Sequence, residues 1–373
     1  MSTQINFGPQ HPSTHGVLNL KTVIEGDTVL SIEPNLGFLH RGVEKAAEER
    51  RYIQFLPMIE KTDYVAAFSW DNVYMTILED GLKVEVPLRA QYIRTILLEM
   101  QRIMSHLVWL AAFGQDLGQP TVFLWAFRER EPYVELFEEL SGGRLHYYYG
   151  RIGGVKRDFL PDTADKLSHH LKGFEVRLKE IEGMTVDNII YQKRTKDVGV
   201  LTKEQAVKMG ATGPMLRSCG VNHDLRKVEP YLVYKEAEFD IPVAEEGDCW
   251  ARTKVRIEEM RQSIAIIRQL LAKMPEGEIV AGPFLEDRTG NQMLKAYTMR
   301  LPAGEYFARQ ELPRGEGAIY LISKGDMKPY RFRMRSPGFC NLSLATHLIR
   351  DVKIADMIAI LGSLDLVYGE IDR

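Results

Sequence analysis

The chain has 373 residues, 45% of them hydrophobic and 27% charged, with a formal net charge of −3. That balance supplies apolar material for a large core and implies neither a strongly basic nucleic-acid surface nor an acidic solvating tail. Three widely spaced cysteines, Cys219, Cys249 and Cys340, with no C-x-x-C, exclude a disulfide scaffold, a cysteine-rich zinc module and a self-contained iron–sulfur site.

The opening MSTQINFGPQHPSTHG lacks a basic region followed by an apolar one, so no cleaved secretory signal is expected. Residues 5 to 34 alternate in polarity around the turn Glu25-Gly26-Asp27, which predicts a β-hairpin or short meander. From Arg41 the period becomes helical, through GVEKAAEERRYIQFL up to Pro57 and then through MIEKTDYVAAFSWDNVYMTILEDG. The strongest helix is predicted from Pro87 to Phe113, where Tyr92, Ile96, Met100, Ile103, Leu107 and Leu110 form one apolar stripe suited to a core. Further helices are expected at 121 to 140, where Glu129, Glu131, Glu135 and Glu138 read as a solvated face, at 162 to 182 and at 249 to 273. Loops and two small helices fill 185 to 247. Alternation returns at 304 to 311, 317 to 322 and 330 to 335 as strands, and a helix is expected from Leu342 to Leu361.

Strands, a helical majority, strands and a helix define an α+β fold, mainly helical, rather than repeated βαβ units. The expected organisation is a β-rich segment at 1–40, a helical body at 41–275, a second β-rich segment at 276–341 and a C-terminal helix and tail at 342–373, all within one domain. The longest clean apolar run, Leu107 to Phe113, and the C-terminal IADMIAILGSLDLVYG, interrupted by Asp356 and Asp365, fall short of the roughly 20 residues that cross a bilayer. No span is expected, though a seat on a membrane partner remains open.

Dinucleotide, P-loop, zincin and nucleophile-elbow motifs are absent from the sequence. The adjacent His169 and His170 would diverge on a helix and are expected at the surface. Three strings stand out instead. GPQHPSTHG, from Gly8 to Gly16, packs two histidines and several helix breakers into one segment, as a rigid polar loop would. GFLHRGVEK places His40, Arg41, Glu44 and Lys45 at a helix start, which a surface capping cluster would also explain. Asp116, in FGQDLGQP, ends the long apolar helix, where a carboxylate is unfavourable without a cationic partner.

These strings, with FREREP at 127–132, GRLHYYYGRIGGV at 143–155, LRSCGVNHDLRK at 216–227 and GSLDLVYGEIDR at 362–373, resemble a peripheral-arm subunit family of the proton-translocating NADH-quinone oxidoreductase (respiratory complex I). That family is the one related to the [NiFe]-hydrogenase large subunit, so a hydrogenase-like helical body with small antiparallel sheets is implied. The hydrogenase R-G-x-E is matched by Arg41-Gly42-Val43-Glu44. Its cysteine pairs are not matched: Val367 and Glu370 stand at the positions of the last pair, and no cysteine precedes Cys219. Soft nickel–iron coordination needs those thiolates, so no metal is expected in this chain.

The resemblance implies a quinone head-group site shared with the adjacent subunit that carries the terminal iron–sulfur cluster, with electrons passing from that cluster and quinone as the substrate. His15 and Tyr64 match the ligands of the two quinone carbonyls, and Asp116 matches the partner of that histidine. His146 matches a histidine beside the cluster whose protonation follows cluster reduction, and Arg41 an arginine also near it. Chemistry-free alternatives are a core tyrosine for Tyr64, a buried structural histidine for His146 and helix packing for Arg41; His40 is read as structural. The resemblance further implies H+-translocating, translocase-class activity within an assembly. Its other partners would include a membrane subunit forming the quinone channel, and the chain would sit peripherally on the cytoplasmic face of the inner membrane. Nothing in the sequence binds NADH itself, so a related ferredoxin-driven or hydrogenase-like membrane complex is the alternative. RFRMRSPGF, at 331–339, reads as an edge strand facing water or a neighbouring subunit.

Overall fold

A computed structural model describes residues 1–282 and 297–373. The N-terminal alternation folds as expected. Strands β1 (Thr3–Phe7), β2 (Asn19–Glu25) and β3 (Thr28–Asn35) form an antiparallel meander, with Phe7 opposite Leu20 and Glu25 opposite Thr28 across the Gly26-Asp27 turn. Helices α1 (Val43–Glu49) and α2 (Tyr52–Ile59) follow. One continuous helix up to Pro57 is therefore corrected. The chain breaks at Arg50 and Arg51, both extended, and Pro57 lies inside α2, where a two-turn helix tolerates the lost N–H. A turn through residues 60–66 leads into α3 (Ala67–Leu82), so Tyr64 sits on a turn and not on a helix.

Helix α4 (Leu88–Asp116) carries the expected apolar stripe, all of it buried, and Pro87 is its N-cap. It is long and apolar enough to cross a membrane by length and composition, yet most of its surface is covered by the rest of the chain. Its polar side is buried too, which the stripe alone does not reveal. Glu99, Arg102 and His106 join Arg217, Asp224, Arg226, Glu259 and Glu311 in a buried ionic network. Arginine neighbours hold Glu259 well below the usual carboxylate range against the opposing effect of burial. Such a network is costly to desolvate and tolerable only because its members are paired, which fixes one arrangement of the helices that carry it.

Helices α5 (Pro120–Ser141) and α7 (Cys249–Lys273) pack against α4, and α6 (Thr163–Met184) packs against both of them. Glu129 is not on a solvated face: it is 3% exposed and paired with Arg128 and Arg177. His169 is exposed, whereas His170 is half-buried against the Tyr133 ring. Residues 185–247 hold five short helical turns rather than two small helices.

Strands β4 (Gly304–Leu312), β5 (Gly315–Ser323) and β6 (Arg331–Arg335) form a second antiparallel sheet in the order β6-β5-β4. β6 is an edge, as expected, but its open side is covered from within the chain. The carboxylates of Glu48 and Glu44 accept from the main-chain N–H of Phe332 (3.3 Å) and Met334 (2.9 Å) and pair with Arg331 and Arg333.

The expected C-terminal helix is broken. After two short helices, β7 (Val352–Lys353) joins the first sheet beside β3, followed by α8 (Ile354–Ser363) and the last turn α9 (Tyr368–Ile371). Tyr368, Glu370 and Ile371 are buried, so this tail runs through the interior, between the N-terminal loop and the 60–66 turn.

Candidate functional site

The loop before β2 is built to hold one histidine. Pro12–Thr14 make a single 3-10 turn, and His15 closes it in a left-handed conformation at φ 53. The Thr14 hydroxyl lies 2.8 Å from the carbonyls of His11 and Gly16, and His11 Nδ1 lies 2.6 Å from the Ser13 hydroxyl. From the far end of the chain, the Tyr368 hydroxyl donates to the Thr14 carbonyl at 2.7 Å. Its ring lies so close to Gly16 that a Cβ there would fall 2.4 Å away.

His15 Nε2 then sits 2.6 Å from Oδ2 of Asp116, at the last residue of α4. The atoms are close but poorly aligned, since neither completes a hydrogen bond. The pair lies against Gly362 of α8, whose Cβ would come 2.8 Å from Asp116 Oδ2. The indole N–H of Trp109 donates to the Gly362 carbonyl at 2.9 Å and fixes that approach. The side chain that meets this helix-end carboxylate is thus His15.

Tyr64 stands on the 60–66 turn, 36% exposed. Asp63 shapes this turn: its Oδ1 accepts from the N–H groups of Val65 and Ala66, both at 3.1 Å, at the start of α3. Its Oδ2 pairs with Arg314 from the β4–β5 turn. Gln101 of α4 braces the same turn by donating to the Val65 carbonyl. Burial, then the neighbouring Asp63, push the Tyr64 phenol up, with Arg314 and Arg41 opposing. Burial, with smaller contributions from Tyr64 and Asp372, pushes the Tyr368 phenol up.

Behind Tyr64, Arg314 Nε lies 3.4 Å from Asp365, and Glu370 accepts from Trp70 Nε1 (3.0 Å) and the Gly338 N–H (2.8 Å). Burial and Asp63 raise the Glu370 carboxyl to about 8. At the other side of the turn, Arg41 donates to the Lys61 carbonyl at 2.9 Å. Lys61 and Arg41, after burial, lower the pKa of half-buried His146, whose Nδ1 has no partner. His40 lies apart, its Nδ1 2.9 Å from the Asp372 carbonyl.

His15 and Asp116 therefore meet directly, and the C-terminal tail runs from the loop before His15, through Tyr368, to the Tyr64 turn, where a Cβ on Gly369 would lie 2.5 Å from the Thr62 carbonyl and 3.4 Å from Arg41. Sequence reasoning missed Lys61, Tyr368 and the Asp63–Arg314–Asp365–Glu370 cluster. The signals were the charges flanking Tyr64 in EKTDY and the acids in the C-terminal LDLVYGEID. A cavity of about 820 Å³ beside Leu82–Leu88 lies at the opposite end of α3, about 24 Å along a helix of 16 residues. It contains none of these groups.

By its likeness to known proteins, this mainly helical α+β body is of the respiratory oxidoreductase class. The chain belongs to the family described as the respiratory-chain NADH dehydrogenase 49 kDa subunit, whose model matches residues 116–373. A protein of Dehalococcoides mccartyi is 46% identical over 99% of this chain and 98% of its own length, and one of Methylacidiphilum infernorum is 43% identical over 99% and 91%. A third, from Paracidovorax citrulli, is 41% identical over 99% and 98%. All three carry the name of one and the same subunit of NADH-quinone oxidoreductase. The family model spans Asp116 and His146, while His15, Arg41 and Tyr64 fall in the part covered by these relatives alone.

Proposed function

We propose that this chain supplies the quinone head-group site of a proton-translocating NADH-quinone oxidoreductase, seated peripherally on the cytoplasmic face of the membrane by its partner subunits. The observation that carries the reading is the His15–Asp116 contact, held by the C-terminal tail that also packs on the turn carrying Tyr64. Reducing a quinone to a quinol takes two electrons and two protons, and negative charge grows on its oxygens as electrons arrive. Donors aimed at those oxygens stabilise the reduced states. Tyr64 offers a phenol O–H that burial and Asp63 keep protonated. His15 offers a ring N–H.

The electrons come from the iron–sulfur cluster of the adjacent subunit, and nothing in this chain handles the nicotinamide. After both protons leave, a tyrosinate and a neutral imidazole remain. Asp116 then loses its cationic partner, and an unpaired carboxylate in this covered position is costly. That loss is the signal we assign to the coupling between quinone chemistry and proton pumping. Arg41 and His146 form the side facing the cluster. The hydrogenase kinship fits the same picture: Glu370, at a position of the last cysteine pair, is tied to Trp70 and Gly338.

A photoreactive quinone analogue applied to the intact complex tests the placement. Labelled peptides from this chain containing residues 15 or 64 are expected; labelling confined to other subunits would reject it.

A further inference from the structure

The wall beneath the His15–Asp116 contact is held by side chains that the quinone chemistry does not use. Gly362 forms this wall: a Cβ on it would come 2.8 Å from Asp116 Oδ2 and 3.5 Å from the His15 ring. Its carbonyl meets two N–H groups, the indole of Trp109 at 2.9 Å and, more loosely, the main chain of Asp365 at 3.4 Å. Asp365 lies two residues past the end of α8 in a left-handed conformation, at φ 56, which Asp and Asn adopt more readily than most residues.

Arg256, on α7, touches the side chains of both donors. Its guanidinium lies 4.1 Å from the centre of the Trp109 ring, and its Nε 3.9 Å from Asp365 Oδ2. All three side chains are buried. Among the described residues, Asp365 is the one acid within ion-pair distance of Arg256. Glu259, one turn along α7, is taken up by Arg217 and His106.

Asp365 also faces the other half of the site. Its Oδ1 lies 3.4 Å from Nε of Arg314, and Arg314 pairs through a terminal nitrogen with Asp63, on the turn that carries Tyr64. Both arginine Nε groups and Asp365 Oδ2 are without a hydrogen-bond partner. One buried carboxylate thus stands between two guanidinium groups, close enough to be attracted by both. Removing Asp365 or Arg256 alone leaves a charge away from water with less compensation, which is costly.

Resting on the quinone-site reading, we propose that Arg256 and Asp365 are positioning residues for the site: Arg256 clamps Trp109 and Asp365 onto the Gly362 carbonyl beneath His15 and Asp116, and Asp365 ties that clamp through Arg314 to the Tyr64 turn. The two head-group donors are then set by one buried chain of charges and not separately. Donors aimed at the quinone oxygens act most strongly as charge develops there, so a loss of aim falls on turnover more than on binding.

Steady-state quinone reduction by the intact complex tests this, with rates expressed per iron–sulfur cluster reducible by NADH. Arg256→Met should lower kcat about tenfold while KM changes less than about threefold, and Arg256→Lys, which keeps the charge, should recover part of the loss. Asp365→Asn, which suits the same backbone, should also lower kcat. The double variant Arg256→Met/Asp365→Asn should lose less than the product of the two single losses, because it removes the poorly compensated charge that each leaves. Multiplicative losses would overturn the link between the two residues. Unaltered kcat, a change in KM alone, or fewer complexes at unaltered kcat would overturn the positioning role. Should Arg256→Met fail to assemble, Arg256→Lys takes its place in the cycle with Asp365→Asn. His15→Ala and Tyr64→Phe assayed alongside separate the two readings: wild-type kcat in both would overturn the quinone site itself, whereas their loss with unaltered Arg256 and Asp365 variants would overturn only the clamp.

Discussion

The Tyr368 hydroxyl donates to the Thr14 carbonyl at 2.7 Å, joining residues 354 positions apart and fixing the backbone immediately before His15. The site is therefore closed by the end of the chain, and its precision depends on a contact far from the reacting groups. Tyr368→Phe removes this one bond, worth about 1 kcal/mol. It should leave the complex assembled and lower quinone reduction several-fold. Gly16→Ala, which drives a Cβ into the Tyr368 ring, should lower it further. Steady-state quinone reductase assays on both variants check the order.

Glu370 gives a pH signature. Its carboxyl titrates near 8 in the fold and near the ordinary glutamate value when unfolded. Between those values the folded state binds the extra proton, so stability falls as pH rises through this window and levels off above it. Glu370→Gln should flatten that part of the profile. Thermal unfolding of the complex from about pH 5 to pH 9 measures the slope.

His146 has the opposite sense. Burial, Lys61 and Arg41 depress its pKa, so it is neutral at pH 7 and disfavours the fold only when acid forces it to charge. Stability tied to this residue is lost as pH falls through its unfolded value toward its folded one. If His146 follows reduction of the adjacent cluster, His146→Met should change how that cluster's midpoint potential varies with pH. Potentiometric titration at several pH values reads the slope, and an unaltered slope rejects the role.

Glu44 covers the edge of β6, accepting from Met334 N–H and pairing with Arg333 and Arg373. Glu44→Ala leaves that N–H uncovered, and a loss of about 1–2 kcal/mol is expected. Limited proteolysis should then cut more readily near residues 331–335 or at the C-terminus.

The α4 stripe and the strand alternation were legible because each follows one period, and Asp116 because a carboxylate at a helix end asks for a cation. The C-terminal tail was not: its apolar run reads as a helix, while strand pairing of Val352 with Val29 and the internal path of Tyr368 to Ile371 are long-range choices. Pro57 misled because local propensity signalled a stop that tertiary packing overrode. The apolar pattern of α4 likewise hid Glu99 and His106, whose partners lie more than a hundred residues away. The loop histidine and Tyr64 were named by resemblance; the charges flanking Tyr64 in EKTDY became a signal only once the fold set that turn against the C-terminal tail.

The most direct test of the account is quinone reduction by the assembled complex carrying Tyr64→Phe or His15→Ala, measured beside reduction of its iron–sulfur clusters by NADH. The account predicts clusters that reduce normally and quinone reduction that falls sharply in both variants. Wild-type rates of quinone reduction in both would contradict it.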